Sequence, residues 1–197
     1  MRFSEKLYPG IIYHIWTHGV LDEDIFREDQ NYIFFLNRYF KYTTPILKTY
    51  AFCLMPNHFH FLVKTRNIDE INTKFPEVKI YSDNEFAEYT SKRIGNLLNS
   101  YTKSFNSFYK RKGGLFNRHF KRKSIDKEEY FTKIILYIHN NPIHHGFAHR
   151  IKDWPYSSWH SYINKKDDNL YKEDVLRWFG GLDDFIKIHL DMENQQL

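Results

Sequence analysis

The chain of 197 residues has few of the features on which secreted and membrane proteins rely. It holds a single cysteine, Cys53, so no intrachain disulfide can form and a reducing compartment is expected. Residues 1–10 lack the apolar core of a signal peptide, and no apolar run is long enough to span a bilayer. We therefore expect a cytoplasmic globular protein, with one main domain and appendages.

Acidic residues are missing from residues 101–123, although the chain as a whole carries a net charge of only +5. Residues 167–197 hold eight acids and three bases, which gives that stretch a net charge of −5. The acid-free stretch holds eight bases interleaved with aromatic side chains, a pattern that suits a nucleic-acid backbone with unstacked bases. The plainer interpretation is a solvated helix face and loop. The candidate DNA contacts are Lys110, Arg111, Arg118, Lys121, Arg122 and Lys123.

A histidine pair stands out in the apolar run of residues 52–63. His58 and His60 flank Phe59, directly after a Met-Pro-Asn turn signal. Alternate residues of a strand share one face, so a strand here would present both imidazoles side by side, near the turn of a hairpin. Two such imidazoles can bind one divalent cation. A half-buried or surface pair without a metal is the alternative interpretation.

Hydrophobic periodicity predicts the element order β-α-β-β-α-β-α. The first six elements match an α+β class: a ferredoxin-like, split β-α-β sandwich with a four-stranded antiparallel sheet. We expect a catalytic domain over residues 1–150, and a connector with short helices and the acidic tail over residues 151–197. The predicted strands are residues 11–17, 47–54, 58–65 and 115–125, the predicted helices are residues 25–42, 85–110 and about 126–139, and residues 67–84 are predicted to form a loop.

Near the end of the third predicted helix, Tyr137 and Asn141 are four residues apart. If the helix persists to Asn141, both side chains lie on one face. That face would combine a phenol, which can act as a covalent nucleophile, with an amide oxygen that can ligate a hard cation. A rim aromatic and a helix-terminal asparagine are the plainer interpretations.

Taken together, these motifs resemble the single-tyrosine transposases of the HUH superfamily, and among them the REP-associated tyrosine transposases, relatives of the insertion-sequence "two-hundred-like" family. The resemblance covers residues 11–162, and its five motifs occur in the family's order and spacing. A longer loop over residues 67–84 and the acidic tail depart from the family pattern. The matching stretches are residues 13–19, residues 55–63 with the His-hydrophobic-His pair, residues 114–121 with a basic strand, residues 137–142 and residues 154–158.

The resemblance implies a site and an activity. Tyr137 would attack a phosphodiester of single-stranded, hairpin-containing DNA and leave a 5′-phosphotyrosine and a free 3′-hydroxyl. His58 and His60 would hold one Mg²⁺ or Mn²⁺, with Asn141 in the third ligand position, where relatives have glutamine. The product would be nicked or transferred DNA, made by a monomer or a homodimer.

Two other functions remain open from the residues themselves. A ferredoxin-like sheet could bind single-stranded nucleic acid through its basic and aromatic groups without catalysis. A metal-dependent phosphodiesterase could use water as the nucleophile, and would need the histidines but not Tyr137. His14 is either near the site or a satisfied core histidine, and no role is predicted for His139, His144 or His145.

Overall fold

The computed structural model describes residues 6–164 and 168–195. Asp167 of the acidic stretch and residues 1–5 of the segment searched for a signal peptide lie outside the described residues. In chain order the main elements are β1 (Ile12–His18), α1 (Asp29–Thr43), β2 (Leu47–Met55), β3 (His58–Thr65), α2 (Ile68–Lys74), α3 (Asp83–Phe108), β4 (Lys121–Ser124), α4 (Glu128–His144), α5 (Trp159–Ile163), α6 (Lys172–Phe179) and α7 (Leu182–Asn194).

The four strands form one antiparallel sheet in the order β2-β3-β1-β4. This order arises because α1 carries the chain from β1 across to β2, and α3 carries it from β3 back to β4 on the other side of β1. The predicted α+β, ferredoxin-like architecture is confirmed. The described part of the chain contains no helix that is long and apolar enough to cross a bilayer.

Each face of the sheet supports a separate hydrophobic core, as the alternation along the strands requires. On one face, side chains such as Ile15, Phe61 and Val63 pack under α1 and α3. On the other face, Cys53 and Leu62 pack under α4 and the C-terminal helices. The sheet is therefore a middle layer, and the lone cysteine is a buried apolar side chain.

The chain beyond α4 covers the outer edge of β2. The backbone N–H of Leu54 donates to the Tyr156 carbonyl, and the N–H of Ser158 donates to the Phe52 carbonyl, both at 2.9 Å. Further along, the N–H of Tyr171 donates to the Thr49 carbonyl at 2.9 Å. These bonds satisfy backbone groups that an open edge strand would expose. The domain boundary at residue 150 stays a prediction.

Three predicted elements differ from the structure. The predicted loop over residues 67–84 contains α2, which escaped detection because one buried side chain, Ile71, gives no periodic pattern. The predicted strand over residues 115–125 is only four residues long, because the chain from Leu115 to Phe120 anchors its apolar side chains in the core from an irregular path. Helix α4 runs five residues beyond the predicted end at His139, with Pro142 inside its last turn.

Candidate active site

Strand register gathers the predicted metal ligands on the α4 face of the sheet. In the pairing of β1 with β3, Trp16 lies opposite His60 and His18 lies opposite His58. Directly opposed residues of an antiparallel pair project to the same face. His58 and His60 are 1% and 4% exposed, and their ring centroids are 5.3 Å apart. The predicted side-by-side imidazole pair is present.

Helix α4 places Tyr137 and Asn141 against this pair. The Tyr137 ring meets the ring of His60 edge-on, with centroids 5.6 Å apart, and that of His14 at 6.0 Å. Asn141 is buried, and its Oδ1 lies 3.4 Å from Nε2 of His58. Tyr137 remains 37% exposed, so part of its side chain is open to solvent. The helix does persist to Asn141, and the tyrosine, the amide and both imidazoles converge.

The hydrogen bonds of His58 leave one ring nitrogen as a ligand. Its Nδ1 lies 2.6 Å from Oδ1 of Asn57, and because an amide oxygen only accepts, Nδ1 carries the proton. Nε2 then holds a lone pair directed at the Asn141 oxygen, while Nδ2 of Asn141 donates to the Tyr137 carbonyl. Two lone-pair donors that face each other at 3.4 Å are an arrangement that a cation would stabilise.

His60 is oriented by a second histidine in the same manner. Its Nδ1 lies 2.8 Å from Nε2 of the buried His14. When Nδ1 of His60 donates to His14, Nε2 of His60 is left with the lone pair. Metal-binding histidines commonly donate their other ring N–H to a neighbouring group, which sets the tautomer. Both alternatives predicted for His14 therefore hold. It is a buried histidine with a hydrogen-bond partner, and it lies next to the site.

Burial keeps these imidazoles uncharged at neutral pH. Desolvation, together with the neighbouring histidines, lowers the pKa of His58 to about 4 and that of His60 to about 2. Desolvation and Lys123 lower the pKa of His14 to about 4. A neutral imidazole is the form that binds a metal, so protons would compete weakly for this site above pH 5 or so.

The donor set fits a metal only if the amide takes part. Within residues 6–164 and 168–195, no group of three or more histidine, cysteine, aspartate or glutamate side chains is arranged to hold a metal ion. Two imidazoles and one amide oxygen would therefore be the protein ligands, with water completing the shell. Such a set suits Mn²⁺, and Mg²⁺ with added waters.

Three more histidines adjoin the site, although the sequence reasoning gave them no role. His18 stacks on His58 with ring centroids 4.6 Å apart, and His145 meets His58 at 4.7 Å. The ring centroid of His144 lies 6.4 Å from that of Tyr137. His144 and His145 follow Asn141 at spacings of three and four. A prediction that the helix continues past Pro142 would therefore have placed both histidines on the same face as Asn141.

Strand β4 divides the predicted DNA contacts between the two faces of the sheet. Lys123 lies opposite His14 and Lys121 opposite Trp16, so both exposed lysines share the face of the histidine pair. Arg122 lies opposite Ile15 on the other face, with its guanidinium 4.7 Å from the Phe120 ring centroid. The alternation of side chains along a strand produces this division. Arg118 is exposed in the irregular chain before β4.

The two bases at the end of α3 differ from each other. Lys110 is exposed and has a positive φ of 54°. The guanidinium of Arg111 is engaged by the Glu23 carboxylate, with Nε 2.7 Å from Oε1, and by the Gly114 carbonyl at 2.8 Å. Arg111 thus anchors the loop that leads to β4, and its predicted DNA contact remains untested.

A buried hydrogen-bond chain fastens α4 from behind. His189 of α7 must donate through Nδ1 to the Phe185 carbonyl, 2.7 Å away, because a carbonyl only accepts. Its Nε2 then accepts from Nδ1 of His139 at 2.8 Å, and Nε2 of His139 accepts from the Ser158 hydroxyl at 2.7 Å. Ser158 in turn accepts from the N–H of Phe52 in β2 at 2.9 Å. This series of hydrogen bonds joins α7, α4, the connector and the sheet.

A ferredoxin-like sheet that presents a histidine pair beside a tyrosine on a helix is the arrangement that the resemblance to the HUH single-tyrosine transposases implies. Comparison with known proteins agrees with that class. A Haemophilus influenzae (strain ATCC 51907 / DSM 11121 / KW20 / Rd) protein, provisionally named a REP-associated tyrosine transposase, is 28% identical over 140 residues, which are 71% of this chain and 71% of that protein. No family model matches the chain.

A solved structure of a REP-associated tyrosine transposase bound to a REP hairpin shares the fold. It matches with a TM-score of 0.63 and 16% sequence identity, over 84% of this chain and 87% of that one. The resemblance predicted from the motifs is confirmed: the chain is similar in sequence to one REP-associated tyrosine transposase and shares the fold of another.

Proposed function

We propose that this protein is a metal-dependent endonuclease and strand transferase that acts on hairpin-containing single-stranded DNA through Tyr137. The observation that supports this most directly is the approach of Tyr137 to His60, with ring centroids 5.6 Å apart, beside the His58–Asn141 contact. A non-catalytic binding module gives no reason for this convergence. The curated relative and the hairpin-bound neighbour are both named as tyrosine transposases, in line with the proposal.

The proposed reaction is a transesterification. The Tyr137 hydroxyl oxygen forms a bond to the scissile phosphorus, and the bond from that phosphorus to the 3′ oxygen of the preceding nucleotide breaks. The phenolic proton is lost and the released 3′ oxygen gains one, so the products are a 5′-phosphotyrosine and a 3′-hydroxyl. Attack by another 3′-hydroxyl on the phosphotyrosine reverses the step and joins a new strand, without an added energy source.

His58, His60 and Asn141 would hold the divalent metal. When bound, it would supply polarisation of the phosphate and stabilisation of charge in the transition state. The chain's own contribution is positioning: Asn57 and His14 orient the two imidazoles, and α4 holds the amide and the phenol on one rigid element. Such fixed placement is worth orders of magnitude in rate.

Lys121 and Lys123 would guide the DNA backbone toward this site, because both are exposed on the face of the histidine pair. We expect the protein to act in the cytoplasm, on the nucleoid. Since the connector covers the edge of β2, sheet pairing between two copies at that edge is blocked, which favours a monomer over a homodimer that joins there.

A denaturing gel tests the proposal. The wild type and Tyr137→Phe are incubated with labelled DNA hairpins that carry single-stranded tails, taken from repeats near the gene, in Mn²⁺, Mg²⁺ or EDTA. We expect a protein–DNA adduct in the wild type with metal, and no adduct with EDTA or in Tyr137→Phe. Because the Tyr137 ring is partly exposed, the phenylalanine variant should fold and bind DNA normally.

Other outcomes identify the alternatives. Metal-dependent cleavage that survives in Tyr137→Phe would mean that water is the nucleophile, as in a phosphodiesterase. Tight binding of hairpins without cleavage of any of them would indicate a binding module. His60→Ala separates the functions further, since it should abolish the adduct while the exposed side chains of Lys121 and Lys123 still bind DNA.

A further inference from the structure

Helix α4 carries an imidazole that faces Tyr137 from within the same helix. His144 follows Tyr137 by seven residues, which is about two helical turns, so both side chains lie on one face of α4. Their ring centroids are 6.4 Å apart, and their ring planes are inclined by 37°. The tyrosine hydroxyl and the imidazole nitrogens extend beyond these centroids. The two groups are therefore within reach of a hydrogen bond, either direct or through one water molecule.

The last turn of α4 holds His144 in the helix in spite of Pro142, which lacks a backbone N–H. The N–H of His145 donates to the Asn141 carbonyl at 3.1 Å, and the N–H of Phe147 donates to the Pro142 carbonyl at 2.8 Å. These bonds close the turn around His144. The backbone of His144 is therefore part of the same hydrogen-bonded helix that carries Tyr137.

Two other imidazoles contact the Tyr137 ring, but both are poor acceptors for its proton. The ring centroids of His60 and His14 lie 5.6 and 6.0 Å from that of Tyr137. The two histidines share a hydrogen bond, and the remaining nitrogen of His60 is the one that would ligate the metal. Desolvation lowers the pKa of His60 to about 2 and that of His14 to about 4, so neither imidazole binds a proton readily at neutral pH.

Helix α4 itself supplies no carboxylate that could act as the base. From Tyr130 to its last residue, His144, the helix has no acidic side chain. A phenol is a weak acid, so its attack on phosphorus is faster when a base takes the proton as the new bond forms. His144 differs from His60 and His14 because it is exposed, so a proton that it accepts can pass on to water.

We propose that His144 is the proton acceptor for Tyr137 in the cleavage step. As the Tyr137 oxygen forms its bond to phosphorus, the phenolic proton moves to a ring nitrogen of His144. The bond from phosphorus to the 3′ oxygen breaks, and that oxygen takes a proton from solvent. In the joining step the attacking 3′-hydroxyl releases its proton to solvent, and His144 returns a proton to the departing Tyr137 oxygen. This inference rests on the proposed function and adds to it a base that is not a metal ligand.

His144→Gln tests the proposal, with His149→Gln as the matched control, because His149 is exposed and lies beyond the end of α4. The rate of adduct formation is measured in a single turnover, with Mn²⁺ and with the protein in excess over a labelled DNA hairpin. A general base contributes about 10²–10⁴-fold, so His144→Gln should form the adduct about a hundredfold or more slowly. Its affinity for the hairpin should not change, because only the chemical step needs the base. Its melting temperature should not fall, since glutamine favours a helix more than histidine does.

A more acidic phenol separates proton transfer from mere positioning of the tyrosine ring. Difluorotyrosine, whose hydroxyl is more acidic than that of tyrosine, is incorporated at position 137 of the wild type and of His144→Gln. Because a more acidic phenol depends less on a base, it should raise the rate of His144→Gln by about tenfold or more and change the wild-type rate much less.

The possible failures are distinguishable. If His144→Gln forms the adduct as fast as His149→Gln does, His144 is not the proton acceptor, although the proposed function stands. If difluorotyrosine changes the rates of the wild type and of His144→Gln by the same factor, His144 only positions the ring, and the proton transfer is wrong. A wild type that forms no adduct with any hairpin removes the proposed function and this inference with it.

Discussion

The hydrogen-bond chain behind α4 allows a quantitative prediction for His189→Leu. The chain has one direction, from the Ser158 hydroxyl through His139 and His189 to the Phe185 carbonyl, and both histidines are fully buried. Leucine at position 189 keeps the apolar contacts but removes the acceptor for Nδ1–H of His139. That donor is then buried without a partner, because the remaining nitrogen of His139 faces Ser158.

The magnitude follows from the cost of one unsatisfied buried donor. Such a group costs about 1–3 kcal/mol, so the free energy of unfolding of His189→Leu should fall by that amount. For a chain of this size, each kcal/mol corresponds to about 2–4 °C, so the melting temperature should fall by about 2–12 °C. Adding His139→Leu removes the stranded donor, so the double variant should lose less than the sum of the single variants.

Thermal and urea denaturation of the two single variants and the double variant measure this coupling. His149→Leu is the matched control, because His149 is exposed and the same change there should stay within about 0.5 kcal/mol. Strictly additive losses, or a His189→Leu variant as stable as His149→Leu, would refute the chain as described. In His189→Leu the cleavage rate of bound DNA should also fall, because Tyr137 lies on α4. The affinity for DNA should not change, because Lys121 and Lys123 lie on β4, which the hydrogen bonds of His189 do not reach.

Three further predictions follow from the structure. Burial lowers the pKa of five histidines below 6.5, namely His14, His58, His60, His139 and His189. As the pH falls, the unfolded chain therefore binds protons before the folded chain does, and below pH 6.5 the free energy of unfolding should decrease by up to about 1.4 kcal/mol per pH unit for each histidine. Urea titrations at pH 7.5 and pH 5.5 measure this decrease, and coincident curves would contradict it. Replacing Lys121 and Lys123 by glutamine should lower the slope of log affinity for single-stranded DNA against log salt by about 1.4, whereas the same change at the exposed Lys152 and Lys187 should leave it unchanged. Removal of α6 and α7 should cause aggregation, as seen by light scattering, because it uncovers the core under α4, and a monomeric truncated chain with full cleavage activity would count against that packing.

Local periodicity was enough to predict the central part of the site. The alternation of β3 places His58 and His60 on one face, and the helical spacing of four places Tyr137 and Asn141 on another. Both inferences need only residues that are near in sequence, together with the turn at Pro56 that joins β2 to β3. The bond from His14 to His60 was beyond such reasoning, because it depends on which strand pairs with β3 and in which register.

Interactions between distant segments account for what the sequence did not reveal. His139 and His189 are 50 residues apart, and no periodic pattern connects them. The packing of Leu115, Phe116 and Phe120 in the core depends on an irregular path before β4, where the sequence predicted a strand. The helix α2 has a single buried residue, so its formation depends on tertiary packing that Ile71 makes and not on an amphipathic pattern.

The C-terminal segment can be assessed in the same terms. Residues 167–197 carry a net charge of −5, yet the apolar side chains Val175, Phe179 and Phe185 share a core with Ile135 and Ile138 of α4. Tyr137 and Asn141 lie on that helix, whereas the histidine pair lies on the sheet, so the placement of the four side chains depends on how α4 packs. Because a displacement of about 1 Å can lower a rate a hundredfold, loosening this core should slow cleavage well before it weakens DNA binding. The C-terminal segment is therefore a support for α4, the helix that carries Tyr137.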